Sequence, residues 1–357
     1  MGAAVSAGRE RRGSIISPVV DFLSVGGLSI LVLVPLLLSG RTDLVMIGAG
    51  AQAWVATSIN MPHFMASYRL VYRSRETMRR HRWAAFGVPA ILLCYLLVAT
   101  WQAQESPVLV IVLVTVASTY LAWHYTGQVW GMMASHAYLA GTGFDARERR
   151  LVKSGLRILL AWHLTWFAYT QLRDPSRVAQ LYQVVSGATV LAFLLGAAGL
   201  GLMYRRTGRV PPLLAVTAWL AIFVWYAVMA RDPKALFWVQ IAHAIQYLAF
   251  PVRMEINRTV AEAGDAATST SSVARRVATH MAAYGVLLLG ISWLMGQVVP
   301  VALMGAVGSL FGEEPARAAP ILILMFINIH HYFTDGVLWK LRNPEVRQEL
   351  FAHLKPR

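Results

Sequence analysis

Apolar residues in this chain come in runs of about 20, divided by short polar connections. At 1.5 Å per residue, a helix of that length crosses the ~30 Å hydrocarbon layer of a bilayer. The pattern predicts ten transmembrane helices, near residues 19–39, 44–66, 83–102, 107–134, 153–171, 178–203, 211–230, 235–252, 280–300 and 316–338. The fold class that follows is all-α: a polytopic integral membrane helical bundle of about 10 spans. The apolar stretch 107–140 is too long for one straight span, so a bend at Gly127 or Gly131, or a projection beyond the bilayer, is expected.

Polar residues inside these spans recur at helical spacing. The second span carries Asn60, His63 and Ser67, and the fourth Tyr120, His124 and Gln128. The eighth carries Gln240, His243 and Tyr247, and the tenth Asn328, His331, Thr334 and Asp335. Steps of three and four residues place each set on one helix face, so four helices each present a polar stripe bearing an imidazole. Measured from the less basic end of each span, the four histidine positions lie about 14 to 28 Å deep.

Composition supports the membrane assignment: 57% of the residues are apolar and only 14% charged, where a soluble domain carries about 25%. The net charge of +15 changes the picture only through its placement. Six basic residues (Arg41, Arg173, Arg177, Arg231, Lys234 and Arg317) fall on one side of the ten spans, and the other 26 fall on the opposite side. This asymmetry predicts both termini on the cytoplasmic side. No basic segment forms a module suited to nucleic acid, so no nucleic-acid partner is expected. The single cysteine, Cys94, excludes internal disulfides and thiolate clusters.

Organisation follows from the same pattern. Residues 1–357 read as a single membrane domain, with a cytoplasmic N-terminal tail (1–18), a flexible cytoplasmic loop (258–276) and a cytoplasmic C-terminal tail (340–357). The expected location is an integral membrane protein of a bacterial inner (plasma) membrane. The oligomeric state stays open.

Of ten histidines, seven lie in apolar sequence: His63, His124, His136, His163, His243, His330 and His331. His136 falls late enough in the fourth span to be expected at or beyond the surface, and His81, His280 and His353 are expected to be solvated. Ionisable groups within a bilayer are costly and mark functional sites. Several imidazoles with few carboxylates suit iron, zinc or copper rather than calcium or magnesium. Candidate metal ligands are His63, His124, His243 and one or both of His330 and His331. In the last pair polar-face geometry favours His331. Asp335, Gln246, Gln128 and Asn60 are candidate supports that fix the imidazole tautomers.

The four segments NMPHFMASYR, AWHYTGQVW, WVQIAHAIQYL and NIHHYFTDG resemble, in order and approximate spacing, the short histidine motifs of the Brp/Blh family of membrane β-carotene oxygenases. Those motifs are of PHGxxD, HFGxxD, FxHxxxH and PHxxxxD type. The resemblance covers about forty residues. It implies metal-binding histidines at His63, His124 and His243, with His330 in the fourth motif at the matching distance from Asp335. This chain has no aspartate after His63 or His124, and Tyr247 stands at the place of the second histidine of the third motif. The implied function is an iron-dependent membrane oxygenase acting on an apolar, isoprenoid- or lipid-like small molecule taken from the bilayer. Tyr247 would then be an outer ligand or a hydrogen-bond donor to bound oxygen, and Asp335 would act beside it. The alternatives are a b-type haem protein, a transporter or permease using the intramembrane histidines, and a structural subunit.

Overall fold

The computed structural model describes residues 13–40, 47–171, 174–264, 270–339 and 344–354. The N-terminal tail to residue 12, the connection at 41–46 and residues 340–343 and 355–357 of the C-terminal tail lie outside the described residues. Among the described residues there are twelve helices and no strand. They are α1 (Pro18–Ser39), α2 (49–72), α3 (Arg75–Arg80), α4 (Trp83–Gln102), α5 (Val108–Leu139) and α6 (Ala146–Gln171). Then follow α7 (Ser176–Thr207), α8 (Leu213–Arg231), α9 (Leu236–Gly264), α10 (Ser271–Phe311), α11 (Glu313–Leu338) and α12 (Pro344–Leu350).

Eight of these, α1, α4, α5 and α7 to α11, are long and apolar enough to cross a membrane. The chain is thus an all-α polytopic bundle, as expected, and its apolar helices place it in a lipid bilayer. The expected spans 44–66 and 153–171 correspond to α2 and α6, which are helical over the required length but fall outside that set of eight. The cause is composition: α6 opens with Arg147, Glu148, Arg149, Arg150 and Lys153, and α2 carries Asn60, His63, Ser67 and Arg69. Most of the loop expected at 258–276 is helical, because α9 runs to Gly264 and helix resumes at Thr270. Residues 265–269 lie outside the described residues.

The helices form two compact units. One comprises residues 1–47 and 121–247. Here α6 and α7 approach closely: a Cβ on Gly155 would sit 2.5 Å from the Ala192 carbonyl oxygen, so only glycine fits. The start of α6 is a capping box. The Asp145 carboxylate accepts the Glu148 N–H and the Glu148 carboxylate accepts the Asp145 N–H, both at 2.8 Å. That Glu148 N–H holds the Asp145 carboxyl below the usual carboxylate range. Arg206 at the end of α7 donates to Glu148 at 2.7 Å, which ties the two helix ends together. In α1, Gly26 takes φ 133 inside a π turn, a conformation that favours glycine, and Trp225 of α8 donates to Ser29 Oγ at 2.8 Å.

The other unit comprises residues 48–120 and 248–357. Its apolar core joins Val88, Leu92 and Ala99 of α4, Leu113 and Ala117 of α5, and Leu322 and Ile329 of α11. One end carries an ionic layer. Buried Glu255 accepts Arg69, Arg258 and His280, so His280, expected to be solvated, is engaged with a carboxylate. Glu349 of α12 pairs with Arg73 and Arg258.

Three helices of this unit share a backbone device. In α2, α4 and α10 a π turn (Ala56–Asn60, Trp83–Gly87, Leu294–Val298) ends two residues before a proline: Pro62, Pro89 and Pro300. Proline has no N–H and its ring crowds the carbonyl four residues back. In each helix the residue before the proline donates five residues back instead, from Met61 to Ala56, Val88 to Trp83 and Val299 to Leu294. In α4 the two carbonyls left by this wider turn, those of Ala84 and Ala85, become acceptors for side chains on other helices.

Candidate metal centre

The second and eleventh helices of the chain each set a histidine one turn before a polar partner: His63 and Ser67 on α2, His331 and Asp335 on α11. Residues four apart lie on one helix face, and the two faces meet. His63 Nε2 and His331 Nε2 are 3.0 Å apart, with the rings edge to face. Ser67 Oγ donates to Asp335 Oδ1 at 2.6 Å. Asp335 Oδ2 lies 3.4 Å from His331 Nε2. His63, Ser67 and His331 are at most 1% exposed and Asp335 is 8% exposed.

The other nitrogen of His63 fixes its tautomer. His63 Nδ1 lies 2.7 Å from the Asn60 carbonyl oxygen, which can only accept, so Nδ1 carries the proton. Nε2 is left with its lone pair directed at His331. A backbone carbonyl holding Nδ1–H while Nε2 faces a neighbour is the usual posture of a metal-ligating histidine. Phe64 packs against both rings, at 4.2 Å from His63 and 4.8 Å from His331, which adds an apolar wall.

Within this unit His63 and His331 are both buried and set two ring nitrogens 3.0 Å apart. A histidine pair able to ligate a metal ion is therefore present. His330, of the same unit, does not belong to this pair, and His124 and His243 lie in the other unit. His243 packs edge-on against His124 at 4.8 Å and against Tyr125 at 4.6 Å between ring centroids. Gln128 donates to the His243 carbonyl at 3.0 Å and to Gln246 Oε1 at 3.2 Å, so it supports the backbone here, not an imidazole. Gln246 in turn donates to the Val25 carbonyl at 2.5 Å.

No protein-family model matches the chain, and comparison with curated proteins and with solved structures returns no match.

His330 takes a different direction from its neighbour. Its Nε2 donates to the Ala84 carbonyl at 2.9 Å, and the Tyr68 ring lies 4.7 Å away. Tyr72 O–H donates to the Ala85 carbonyl at 2.6 Å. These are the two carbonyls that the π turn of α4 releases: Val88 bonds Trp83 in place of Ala84, and Pro89 has no N–H for Ala85. The spacing shared with the Brp/Blh motif points to His330, whereas the geometry turns His331 toward His63.

The supports also differ in detail from the expectation. Asn60 serves through its backbone carbonyl, not its side chain, and Asp335 approaches the same His331 nitrogen that faces His63. Tyr247 is buried, at 2% exposure. His136, expected at the surface, is buried, and so is His163. The sequence reading missed Ser67 as the donor to Asp335. Its signal was present, since Ser67 follows His63 by one turn as Asp335 follows His331.

Proposed function

We propose that His63 and His331 hold a transition-metal ion in a membrane oxygenase acting on an apolar, isoprenoid- or lipid-like molecule. The observation that carries this reading is the approach of His63 Nε2 to His331 Nε2 at 3.0 Å. Two imidazole nitrogens bound to one ion at about 2.0–2.1 Å, in adjacent positions, stand roughly 3 Å apart. The pre-set tautomer of His63 and the charge of Asp335 favour a cation at this point. Neutral imidazoles suit iron, copper or zinc. Iron is preferred because a histidine-poor shell leaves positions open for O₂, and because the four motif segments resemble an iron-oxygenase family.

Ionisable groups inside apolar helices are costly and mark functional sites. Bound metal would supply the activation of O₂. The chain's own residues then bind and orient: Asn60 fixes the His63 ring, Ser67 holds one oxygen of Asp335, and Phe64 keeps water from the two rings. A cavity of about 250 Å³ lies further along α2 and α11, lined by Leu70, Val337 and Trp339 and by the charged Arg73, Glu76, Arg80 and Glu349. Residues Leu70 and Val337 follow Ser67 and Asp335 on their helices.

The test is the metal content of the full chain purified in mild detergent from cells supplied with iron, zinc and copper. One ion per chain, lost in His331→Ala, is expected. Metal well below stoichiometry in the unaltered protein overturns the reading.

A further inference from the structure

Residues 121–247 hold a second buried polar pair that the metal reading does not use. His163 Nδ1 and the Tyr226 hydroxyl are 3.1 Å apart, and the two residues are 1% and 3% exposed. With the His163 proton on Nε2, Nδ1 accepts the Tyr226 O–H. A phenol hydrogen-bonded to an imidazole in an apolar surround has one distinctive ability. It can lose an electron and a proton together, because the proton has a base waiting within the same hydrogen bond.

Aromatic rings continue in both directions from the pair. Trp162 stacks on Tyr226 at 4.7 Å between centroids and an interplanar angle of 25°. Tyr182 lies 6.1 Å from Trp162 and stacks on Tyr169 at 4.8 Å. Tyr169 is 38% exposed, two residues before the end of α6. On the inner side Tyr125 is 5.9 Å from His163 and 4.6 Å from His243, and His243 adjoins His124 at 4.8 Å. Every step joins oxidisable or hydrogen-bonding rings near contact distance. Packing alone accounts for aromatic contacts, but it does not require each link to be a Tyr, Trp or His, nor a buried phenol to end on an imidazole.

We propose that Tyr226 and His163 form a redox-active site, and that the Tyr–Trp series carries an oxidising equivalent between the buried histidines and the surface at Tyr169. The reaction is a one-electron oxidation. The oxidant takes one electron from Tyr226, and the phenolic proton passes to His163 Nδ1, leaving a neutral phenoxyl radical and an imidazolium. An electron entering at Tyr169 from a one-electron donor reverses both changes. In the cell the oxidant would be an O₂-derived species. Only this source of oxidant rests on the metal reading. The chain would then protect the buried site when O₂ is activated without substrate.

The test uses the full chain in detergent, stripped of metal by a chelator, so that its outcome is independent of any metal site. A water-soluble ruthenium tris-bipyridyl complex, flash-quenched with persulfate, supplies the one-electron oxidant, and electron paramagnetic resonance reads the radical. A phenoxyl signal is expected in the unaltered protein, lost in Tyr226→Phe and shortened in lifetime in His163→Gln. Tyr182→Phe is expected to lower its yield while leaving its line shape unchanged. Unaltered elution and thermal midpoint confirm that each variant is folded. Absence of a radical in the unaltered protein, the same signal in Tyr226→Phe, or an unchanged lifetime in His163→Gln overturns the proposal.

Discussion

His330 and His331 are consecutive on one helix, similarly buried, and end in different chemistry. His331 points its Nε2 at another imidazole 3.0 Å away, and His330 donates its Nε2 to a backbone carbonyl at 2.9 Å. The helical step of ~100° per residue separates their directions, but it does not decide which direction is functional. That is decided by what each face meets. One face meets α2 where His63 turns its Nε2 toward His331, and the other meets α4 where Pro89 has released two carbonyls. An imidazole among polar ring nitrogens is a candidate ligand, whereas an imidazole capping a carbonyl completes a backbone defect.

The largest expected effect breaks this comparison directly. His331→Ala removes one of the two facing nitrogens and is expected to abolish metal retention by the purified protein. His330→Ala is expected to keep it, as metal analysis of the two variants side by side will read. Equal retention in both variants would remove the distinction between the two faces. A smaller effect sharpens it. Ser67→Ala leaves Asp335 without its donor at 2.6 Å but keeps every imidazole. Loss of such an outer partner costs about 10–100-fold in metal affinity, so a competition titration with a calibrated chelator is expected to show weaker binding by about tenfold. A tighter or unchanged affinity would mean that Asp335 does not act on the ion through the face it shares with Ser67.

Length and apolarity made the helices legible, because a span needs little more than a run of the right size. The same measure left α2 and α6 marginal, since their buried faces carry the polar residues that make them interesting. The four polar stripes were legible too: Asn60, His63 and Ser67 share a face by spacing alone. What spacing could not supply was the partner. The Ala84 carbonyl that fixes His330 lies 246 residues away, and it accepts only because Val88–Pro89 widens one turn of α4. The turn widens at Met61–Pro62, Val88–Pro89 and Val299–Pro300, yet Pro35, Pro251 and Pro320 also lie inside helices, so X-Pro reads as a helix kink until the released carbonyls are seen in use. His163 carried no stripe on its own helix, and its partner Tyr226 is 63 residues away. Pairings of that kind depend on packing, which one sequence does not display.

The smallest expected effect separates structure from chemistry on the His330 face. His330→Leu keeps the apolar bulk but leaves the Ala84 carbonyl without its donor inside the helix bundle. Hydrogen bonds between membrane helices are worth about 0.6 kcal/mol on average and up to about 1.7 kcal/mol. The thermal midpoint in detergent should therefore fall modestly, while metal content stays at the unaltered level. His330→Gln can still offer an N–H toward Ala84 and should recover most of the loss. Tyr72→Phe removes the donor to Ala85 and should resemble His330→Leu, because both variants strand a carbonyl of the same π turn. If His330→Leu instead sheds metal as His331→Ala is expected to, while its midpoint does not move, the roles assigned to the two faces are reversed. The carbonyl released by Pro89 would then be holding a ligand in place.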